Sequence, residues 1–262
     1  MASQLMVDQR SFPTAPPPDL DDPHVIVEHD WKAFAAVARM TDHWARPGWS
    51  GGRRAYYWML TFPNSPRLVS LARHCQSSLA HLGMDPIPDD VLHVTMTRIG
   101  DTAHVSPAQI QHLIALAEEL SLASLPVAAH PLAGSQGAVR FTLTPWTPLV
   151  RLYAQLSEVG RRARVPGGSP TAAFRPHLGI QYSNRSQSAG AVIDSVAGLR
   201  QLAPVALDVT TVDLVELRRT DRPQRAYRWD VLHQLVLGTR TAPPSPARSE
   251  TARPGRSPSR PT

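Results

Sequence analysis

Lysine is nearly absent from this sequence. Lys32 is the only lysine among 27 basic residues, so arginine carries almost all of the positive charge. A guanidinium group binds phosphate through two parallel hydrogen bonds, which suits a protein that recognises phosphate. A GC-rich genome also favours arginine, alanine and proline together, and the 26 prolines agree with that explanation. The formal net charge of +6 therefore does not by itself predict a nucleic-acid partner.

Cysteine and long apolar runs are also scarce. Cys75 is the only cysteine, so no intramolecular disulfide can form, which is typical of a reducing compartment. Its helical surroundings indicate a core residue rather than a nucleophile. No apolar run approaches the ~20 residues of a membrane-spanning helix, and residues 1–10 lack the basic start and apolar block of a signal peptide. We therefore predict a cytoplasmic protein with no membrane partner.

Both ends of the chain are poor in anchoring apolar residues. Residues 1–23 contain five prolines and scattered aspartates, and residues 240–262 consist mostly of Pro, Ser, Arg, Ala and Thr. Such segments bury too little apolar surface to offset the entropy lost on ordering. The sequence therefore predicts a disordered leader at 1–23, one domain at 24–239 and a disordered tail at 240–262. Within the domain, Asp30 is predicted to cap a first helix that begins at Trp31.

The clearest local pattern lies at residues 91–98, Val-Leu-His-Val-Thr-Met-Thr-Arg, where β-branched and aliphatic residues indicate a strand. Side chains alternate between the two faces of a strand, so His93, Thr95 and Thr97 are expected on one face. The apolar residues between them would point into the core. An imidazole beside hydroxyl groups can bind a phosphate and transfer a proton.

A second strand-like segment, at residues 174–183, repeats this pattern. Its histidine, His177, follows His93 by 84 residues. On ideal alternation Gly179 and Gln181 share the face of His177. Tyr182 would point the other way, so it is predicted only as a residue in the wall of a site.

The segments that precede the two histidines match as well. Tyr57 and Phe141 lie in apolar strand candidates, each 36 residues before its histidine. A hydroxyl–proline pair follows each candidate strand and favours the start of a helix. These pairs are Ser65-Pro66 and Thr147-Pro148. The chain thus contains strand–helix–strand twice, and a pseudo-two-fold axis between the copies would bring the two histidines face to face.

The whole order of predicted elements is β-α-β-α-β-β-α-β-α-β-β, with one long strand at residues 205–218. This order predicts an α+β fold in which two antiparallel-rich sheets carry helices on their outer faces.

The two histidine segments resemble the 2H phosphoesterase superfamily, and especially the bacterial 2′-5′ RNA ligase-like proteins, or RNA 2′,3′-cyclic phosphodiesterases. That superfamily carries two His-x-Thr/Ser motifs on pseudo-symmetric lobes. His93-Val94-Thr95 is similar to the first motif in full. His177-Leu178-Gly179 is similar to the second, but Gly179 stands where threonine or serine is expected. The resemblance covers residues 54 to 238 and implies a bilobal fold around a central groove lined by both motifs.

Two histidines across one groove suit the opening of a 2′,3′-cyclic phosphate, or the hydrolysis or ligation of a 2′-5′ linkage. One neutral imidazole takes a proton from the attacking group, and the other, protonated, gives a proton to the leaving oxygen. No metal or other cofactor is required. The predicted catalytic residues are His93, His177 and Thr95, and the predicted substrate-binding residues are Gly179, Gln181, Thr97, Tyr182 and Arg54. For Arg54, a solvated strand edge is the simpler interpretation.

Two other functions fit parts of this sequence. Since glycine cannot supply the second hydroxyl, the chain could instead be a catalytically degenerate module that binds RNA or nucleotides and leaves a cyclic phosphate intact. A metal hydrolase built on scattered histidines would lose activity to a chelator, but no His-Glu-x-x-His or paired-cysteine spacing is present. The other nine histidines, His43 among them, are interpreted as ordinary structural residues. RNA ends or small cyclic nucleotides are the predicted partners, and the oligomeric state is left open.

Overall fold

The computed structural model describes residues 5–45 and 52–238, which form five α-helices and eleven β-strands. The helices are α1 (Pro23–Ala35), α2 (Pro66–Ser78), α3 (Pro107–Glu118), α4 (Trp146–Arg162) and α5 (Gly190–Ala197). The strands are β1 (Arg39–Met40), β2 (Arg54–Thr61), β3 (Asp85–Pro86), β4 (His93–Asp101), β5 (Leu125–Ser135), β6 (Ala138–Thr144), β7 (His177–Tyr182), β8 (Gln187–Ser188), β9 (Val205–Val209), β10 (Thr211–Thr220) and β11 (Ala226–Val236). None of these five helices is long and apolar enough to cross a membrane. The predicted tail at 240–262 lies outside the described residues.

The strands form two main sheets and one small ribbon. The four-stranded sheet has the order β11-β10-β2-β4, and the five-stranded sheet has the order β3-β7-β6-β5-β9. Neighbouring strands in both sheets run antiparallel. β1 and β8 pair separately. The predicted α+β fold with two antiparallel sheets is confirmed.

The two strands that begin with histidine lie side by side where the sheets meet. β4 is an edge strand of the four-stranded sheet, β7 lies beside the short edge strand β3 of the other, and β4 contacts β7. The helix of each strand–helix–strand unit crosses to the opposite sheet, since α2 contacts β7 and β9 while α4 contacts β4. This exchange of helices joins the two units into one packed body.

The residues predicted to point away from the histidine face of β4 are buried. Leu92, Val94 and Met96 expose 2%, 1% and 2% of their surface. They belong to a core that also contains Trp58 of β2 and Trp146 of α4. Burial of each aliphatic side chain of this size contributes about 1.5–3 kcal/mol, so the alternation along β4 holds its histidine face away from this core.

The predicted long strand at residues 205–218 is instead two strands, β9 and β10, separated at Thr210. β9 pairs with β5 in one sheet, and β10 pairs with β2 and β11 in the other. Both strands are rich in Val and Leu, so the amino-acid composition of residues 205–218 does not predict that the chain passes from one sheet to the other. The partner strands decide where the break falls.

Helix α1 begins at Pro23 and not at Trp31. Asp22 is its N-cap and accepts hydrogen bonds from first-turn backbone N–H groups. Asp30 is buried in the middle of the helix, where it accepts hydrogen bonds from Arg140 (3.2 Å) and Thr142 (2.8 Å) of β6. The prediction that Asp30 caps a helix is wrong, because its carboxylate ties α1 to the sheet, and a buried charge requires such partners.

Residues 5–22, predicted to belong to a disordered leader, pack against the domain. The buried guanidinium group of Arg175 donates hydrogen bonds to five backbone carbonyls, which belong to Met6 (2.7 Å), Pro13 (2.9 Å), Thr14 (2.8 Å), Ala172 (3.0 Å) and Phe174 (3.0 Å). The side chain of Leu5 is buried as well. The leader prediction is wrong for these residues because Arg175 supplies hydrogen bonds that a proline-rich segment cannot make within itself. Residues 1–4 lie outside the described part of the chain.

Arg175→Met should lower the free energy of unfolding by about 3 kcal/mol, because it leaves several buried carbonyl groups without donors. Urea unfolding followed by circular dichroism measures this loss. Arg161→Met is the matched control: its side chain is 74% exposed and pairs with Glu158, so the expected change is below about 0.5 kcal/mol. Equal stability of the two variants would show that the N-terminal segment is not held by Arg175.

Candidate active site

A cavity of about 280 Å³ lies between the two sheets and contains both histidines. The four-stranded sheet contributes Tyr57, Met59, His93, Thr95, Leu217 and Tyr227 to its lining. The five-stranded sheet contributes Ser135, Ala138, His177, Gly179 and Tyr182, and His43 completes the wall. The structure therefore brings together His93, Thr95, His177, Gly179 and Tyr182 of the residues predicted to form a site.

His93 is half-buried at the start of β4. Its Nδ1 lies 2.8 Å from the carbonyl oxygen of Val91, and because a carbonyl only accepts, this nitrogen carries the proton. The ring of Trp229 packs edge-on at a centroid distance of 5.2 Å. Burial lowers the pKa of His93, and the hydrogen bond to Val91 opposes that effect only in part. The neutral imidazole, with Nε2 able to accept a proton, is therefore favoured near neutral pH.

His177 is held in the same way at the start of β7. Its Nδ1 lies 2.9 Å from the carbonyl oxygen of Arg175, again two residues earlier in the chain. The same argument assigns the proton to Nδ1, which makes Nε2 the nitrogen that can exchange a proton with a ligand. His177 is more exposed to solvent than His93. Each half of the fold thus presents one imidazole with a defined tautomer to the shared cavity.

A β-bulge interrupts β4 three residues after His93. Thr95 pairs with Met59 of β2, but Thr97 pairs with the next residue, Trp58, so Met96 is an extra residue on β4. A bulge of one residue reverses the faces of the residues that follow it. In β4 this reversal holds as far as Arg98, because the register against β2 shifts again between Arg98 and Gly100. Thr97 consequently lies on the core side with Trp58 and exposes only 3% of its surface. The prediction that Thr97 lines the site is wrong.

The same irregularity occurs three residues after His177. Gly179 pairs with Arg140 of β6 and Gln181 pairs with Val139, so Ile180 is the extra residue on β7. Gln181 therefore turns to the core side, where it is 2% exposed, and its predicted role in the site is wrong. The reversal carries Tyr182 onto the cavity side, where it lines the cavity. That this wall belongs to a functional site stays a prediction.

On β4 the residue that the bulge turns toward the cavity side is Arg98. It pairs with Tyr57, whose pKa is raised by burial, and the positive charges of Arg98 and Arg53 oppose that rise only in part. Asp101 accepts hydrogen bonds from Arg98 (2.8 Å) and Arg53 (2.9 Å), which keeps both guanidinium groups in place. Ideal alternation put Arg98 on the opposite face, whereas the bulge places it on the face of Tyr57, although Arg98 itself is not among the residues that line the cavity.

Gly179 lies in a close-fitting part of the cavity wall. A Cβ atom added at Gly179 would lie 3.0 Å from Cδ1 of Ile87, 3.8 Å from Cε1 of Tyr182 and 4.0 Å from the Tyr182 hydroxyl. Ile87 and Tyr182 thus occupy the space around the position where the resemblance led us to expect a threonine or serine side chain.

Arg54 does not join the histidines. Its guanidinium group pairs with Glu216 at 2.6 Å, and its side chain is 54% exposed. Arg54 shares a face of β2 with Trp58, whereas Tyr57 and Met59 of the opposite face line the cavity. The prediction that Arg54 belongs to the site is wrong, and the simpler interpretation as a strand-edge residue describes its position.

Four aromatic rings, His43, Trp44, Tyr182 and Tyr227, form a cluster at one side of the cavity. His43 stacks on Tyr182 with centroids 3.8 Å apart and planes 17° from parallel. Trp44 meets Tyr182 edge-on at 5.1 Å, and Tyr227 does so at 5.8 Å. Sequence reasoning treated His43 as a structural residue, and no local motif marks it, because its neighbours in the cluster come from distant parts of the chain.

Cys75 lies apart from the cavity in α2. Burial raises the pKa of its thiol to about 11, so it stays protonated near neutral pH, and the prediction that it packs in the core is confirmed. Within residues 5–45 and 52–238, no three His, Cys, Asp or Glu side chains come together in a group that could hold a metal ion.

Comparison with known proteins gives a family and a fold. A family model described as the 2′-5′ RNA ligase superfamily matches residues 64–221. No curated protein matches this sequence significantly.

Several solved structures are similar to this chain. E. coli LigT in its apo form is 16% identical, with a TM-score of 0.53 over 71% of this chain and 98% of LigT. E. coli LigT complexed with 3′-AMP, at 16% identity over 71% of this chain and 98% of that one, has a TM-score of 0.52. The protein TT0787 of Thermus thermophilus is 15% identical, with a TM-score of 0.52 over 71% of this chain and all of that one. At such low identity these likenesses show the fold.

His93 should titrate below its ordinary pKa of 6.5 in the folded protein, because burial disfavours the charged ring. As the pH falls below 6.5, the unfolded chain binds this proton before the folded chain does, so the free energy of unfolding decreases until the folded pKa is passed. Histidine ring resonances in an NMR titration report the folded pKa. Urea unfolding at pH 7 and pH 5 should show a larger acid loss for the wild type than for His93→Gln; a folded pKa at or above 6.5 would contradict this account.

Proposed function

This chain belongs to the 2′-5′ RNA ligase superfamily, and we propose that it is a phosphodiesterase that acts on RNA ends or nucleotides with two histidines as acid and base. The observation that supports this most strongly is the symmetry of the cavity. His93 and His177 line it together, and each is fixed by a hydrogen bond from Nδ1 to the carbonyl two residues earlier. Two imidazoles with defined tautomers facing one space are suited to paired proton transfer.

We assign the base to His93 and the acid to His177. For a 2′,3′-cyclic phosphate, Nε2 of His93 accepts a proton from water while the water oxygen forms a bond to phosphorus. The bond between phosphorus and one ribose oxygen breaks, and protonated Nε2 of His177 gives its proton to that oxygen. The products are a phosphomonoester and a free ribose hydroxyl, and solvent restores the two histidines to their starting states. The buried setting of His93 favours the neutral base, and the more exposed His177 accommodates the charged acid.

The same steps apply when a ribose hydroxyl replaces water as the attacking group, and the product is then a new phosphodiester linkage. Thr95 lies next to His93 in the cavity lining, where its hydroxyl can donate to a non-bridging phosphate oxygen as negative charge develops. Arg98, on the cavity side of β4, is suited to an adjoining phosphate. A nucleotide substrate is consistent with the 3′-AMP complex of the similar E. coli LigT.

The departure at Gly179 favours one alternative, a module that binds RNA or nucleotides without turnover. Incubation of the purified protein with a 2′,3′-cyclic-phosphate-ended oligonucleotide separates the two. Product formation that a chelator leaves unchanged supports the metal-independent two-histidine reaction, whereas binding without product supports the alternative.

A cytoplasmic location stays a prediction from the single cysteine.

His93→Ala and His177→Ala should each lower kcat on a 2′,3′-cyclic phosphate by roughly 10²–10⁴, the usual contribution of one positioned proton-transfer group. The double variant should lose far less than the product of the two single losses, because the histidines act as a unit. His112→Ala is the matched control, since His112 is exposed on α3 and does not line the cavity. If both cavity variants keep wild-type turnover, the two-histidine mechanism is wrong.

Thr95→Val and Thr97→Val form a second matched pair. The first removes a hydroxyl from the cavity lining and should lower kcat by about 10-fold or more through the loss of a donor to the phosphate. The second removes a hydroxyl that the bulge has turned toward the core, so kcat should stay within about 2-fold of the wild type. Steady-state kinetics of both variants tests whether the bulge separates the two threonines. A larger loss of kcat in Thr97→Val than in Thr95→Val would refute the assignment of Thr95 to the cavity face and Thr97 to the core face.

A further inference from the structure

The two histidine motifs differ in one functional group at the second position after the histidine. On the β4 side, Thr95 places a hydroxyl two residues after His93. On the β7 side, Gly179 occupies the equivalent position after His177 and has no side chain. A phosphate held between two imidazoles would therefore lack a hydroxyl donor on the His177 side, unless another residue provides one.

Tyr182 brings a hydroxyl group to that place. The bulge at Ile180 turns the tyrosine onto the face that carries His177 and Gly179, and Tyr182 lines the same cavity. Its hydroxyl lies 4.0 Å from the point where a Cβ atom on residue 179 would be. A threonine hydroxyl extends from Cβ by only one bond, so the phenol oxygen lies in the part of the cavity that a threonine at 179 would serve.

The aromatic cluster holds Tyr182 in this position. His43 stacks on one face of the ring at 3.8 Å, while Trp44 and Tyr227 pack against it edge-on. Trp44 is fixed in turn by a 2.8 Å hydrogen bond from Nε1 to Asp85. A donor held by packing needs little reorganisation when charge develops on a ligand, which is the condition for effective electrostatic stabilisation.

The surroundings of Gly179 are consistent with a hydroxyl group supplied by Tyr182 instead of by residue 179. A Cβ atom at this position would approach Cδ1 of Ile87 to 3.0 Å, closer than ordinary van der Waals contact. Ile87 therefore crowds a side chain at position 179, while the tyrosine ring borders it at ordinary contact distance. The same wall of the cavity thus has no side chain at position 179 and has the phenol of Tyr182 next to that position.

We propose that the Tyr182 hydroxyl replaces the missing hydroxyl of the second motif and donates a hydrogen bond to a non-bridging oxygen of the phosphate bound between His93 and His177. This inference rests on the proposed function, since it assumes a phosphate in that cavity. It also explains how a chain with glycine at position 179 keeps a hydroxyl donor for each of its two histidine motifs.

Tyr182→Phe tests the proposal, because it removes the hydroxyl and keeps the ring that the cluster packs against. The expected result is a loss of about 10²-fold in kcat on a 2′,3′-cyclic phosphate, comparable to removal of one oxyanion donor. Inorganic phosphate should also bind about 10-fold more weakly, as measured from the ring resonances of His177 in an NMR titration. Tyr56→Phe is the control and should change neither value, since Tyr56 lies on the face of β2 opposite Tyr57 and outside the cavity.

A rescue variant distinguishes a lost donor from a disturbed wall. Gly179→Ser with Ile87→Val, added to Tyr182→Phe, restores a hydroxyl near His177 and removes the methyl group that crowds position 179. Recovery of phosphate affinity and of at least 10-fold in kcat relative to Tyr182→Phe is expected if the hydroxyl is what matters.

The possible failures are separable. Wild-type phosphate affinity in Tyr182→Phe would overturn the role of the tyrosine, and a large loss on His93→Ala in the same series would leave the proposed function intact. A wild-type protein without turnover would overturn the proposed function, while the phosphate titration would still decide whether Tyr182 binds the anion. Equal losses in Tyr56→Phe and Tyr182→Phe would also refute the proposal.

Discussion

The contact between β4 and β7 is the feature on which the rest of the site depends. Each strand belongs to a different sheet and carries one histidine at its start, and a single imidazole can either accept or donate a proton at a given moment. Only where the two strands meet do both rings face one cavity. The crossing of α2 and α4 to the opposite sheets buries apolar surface between the units, so the junction is held by the core itself.

Backbone carbonyls define the chemistry of both rings. Val91 and Arg175 each accept a hydrogen bond from Nδ1 of the histidine two residues later, which fixes the tautomer and ring orientation. At His177 the supporting contacts also include the N-terminal segment of the chain. The side chain of Arg175 binds carbonyl groups of the N-terminal segment while its own carbonyl orients His177, so a segment distant in sequence stabilises the strand that carries His177.

The paired bulges decide which side chains accompany the histidines. An extra residue three positions after each histidine moves the polar residue at the fourth position into the core and the residue at the fifth position to the cavity side. The exchange brings Arg98 forward in one half and Tyr182 in the other. Both strands therefore contain a bulge at the same distance from the histidine, but the bulges bring forward different residues. Tyr182 lines the cavity, whereas Arg98 shares the face of Tyr57 and pairs with Asp101.

The sequence by itself determined the two histidine strands, the strand–helix–strand repeat and the two-sheet architecture, because period-two alternation and matched spacings are local properties of the chain. It also identified His93, Thr95, His177 and Gly179 as neighbours, since these positions precede the bulges and follow ideal alternation. Tertiary structure alone decided the faces of Thr97, Gln181, Arg98 and Tyr182, because a bulge is set by the register against a partner strand. It likewise decided the positions of His43 and the N-terminal segment, because their partners lie far away in sequence and no local pattern records them.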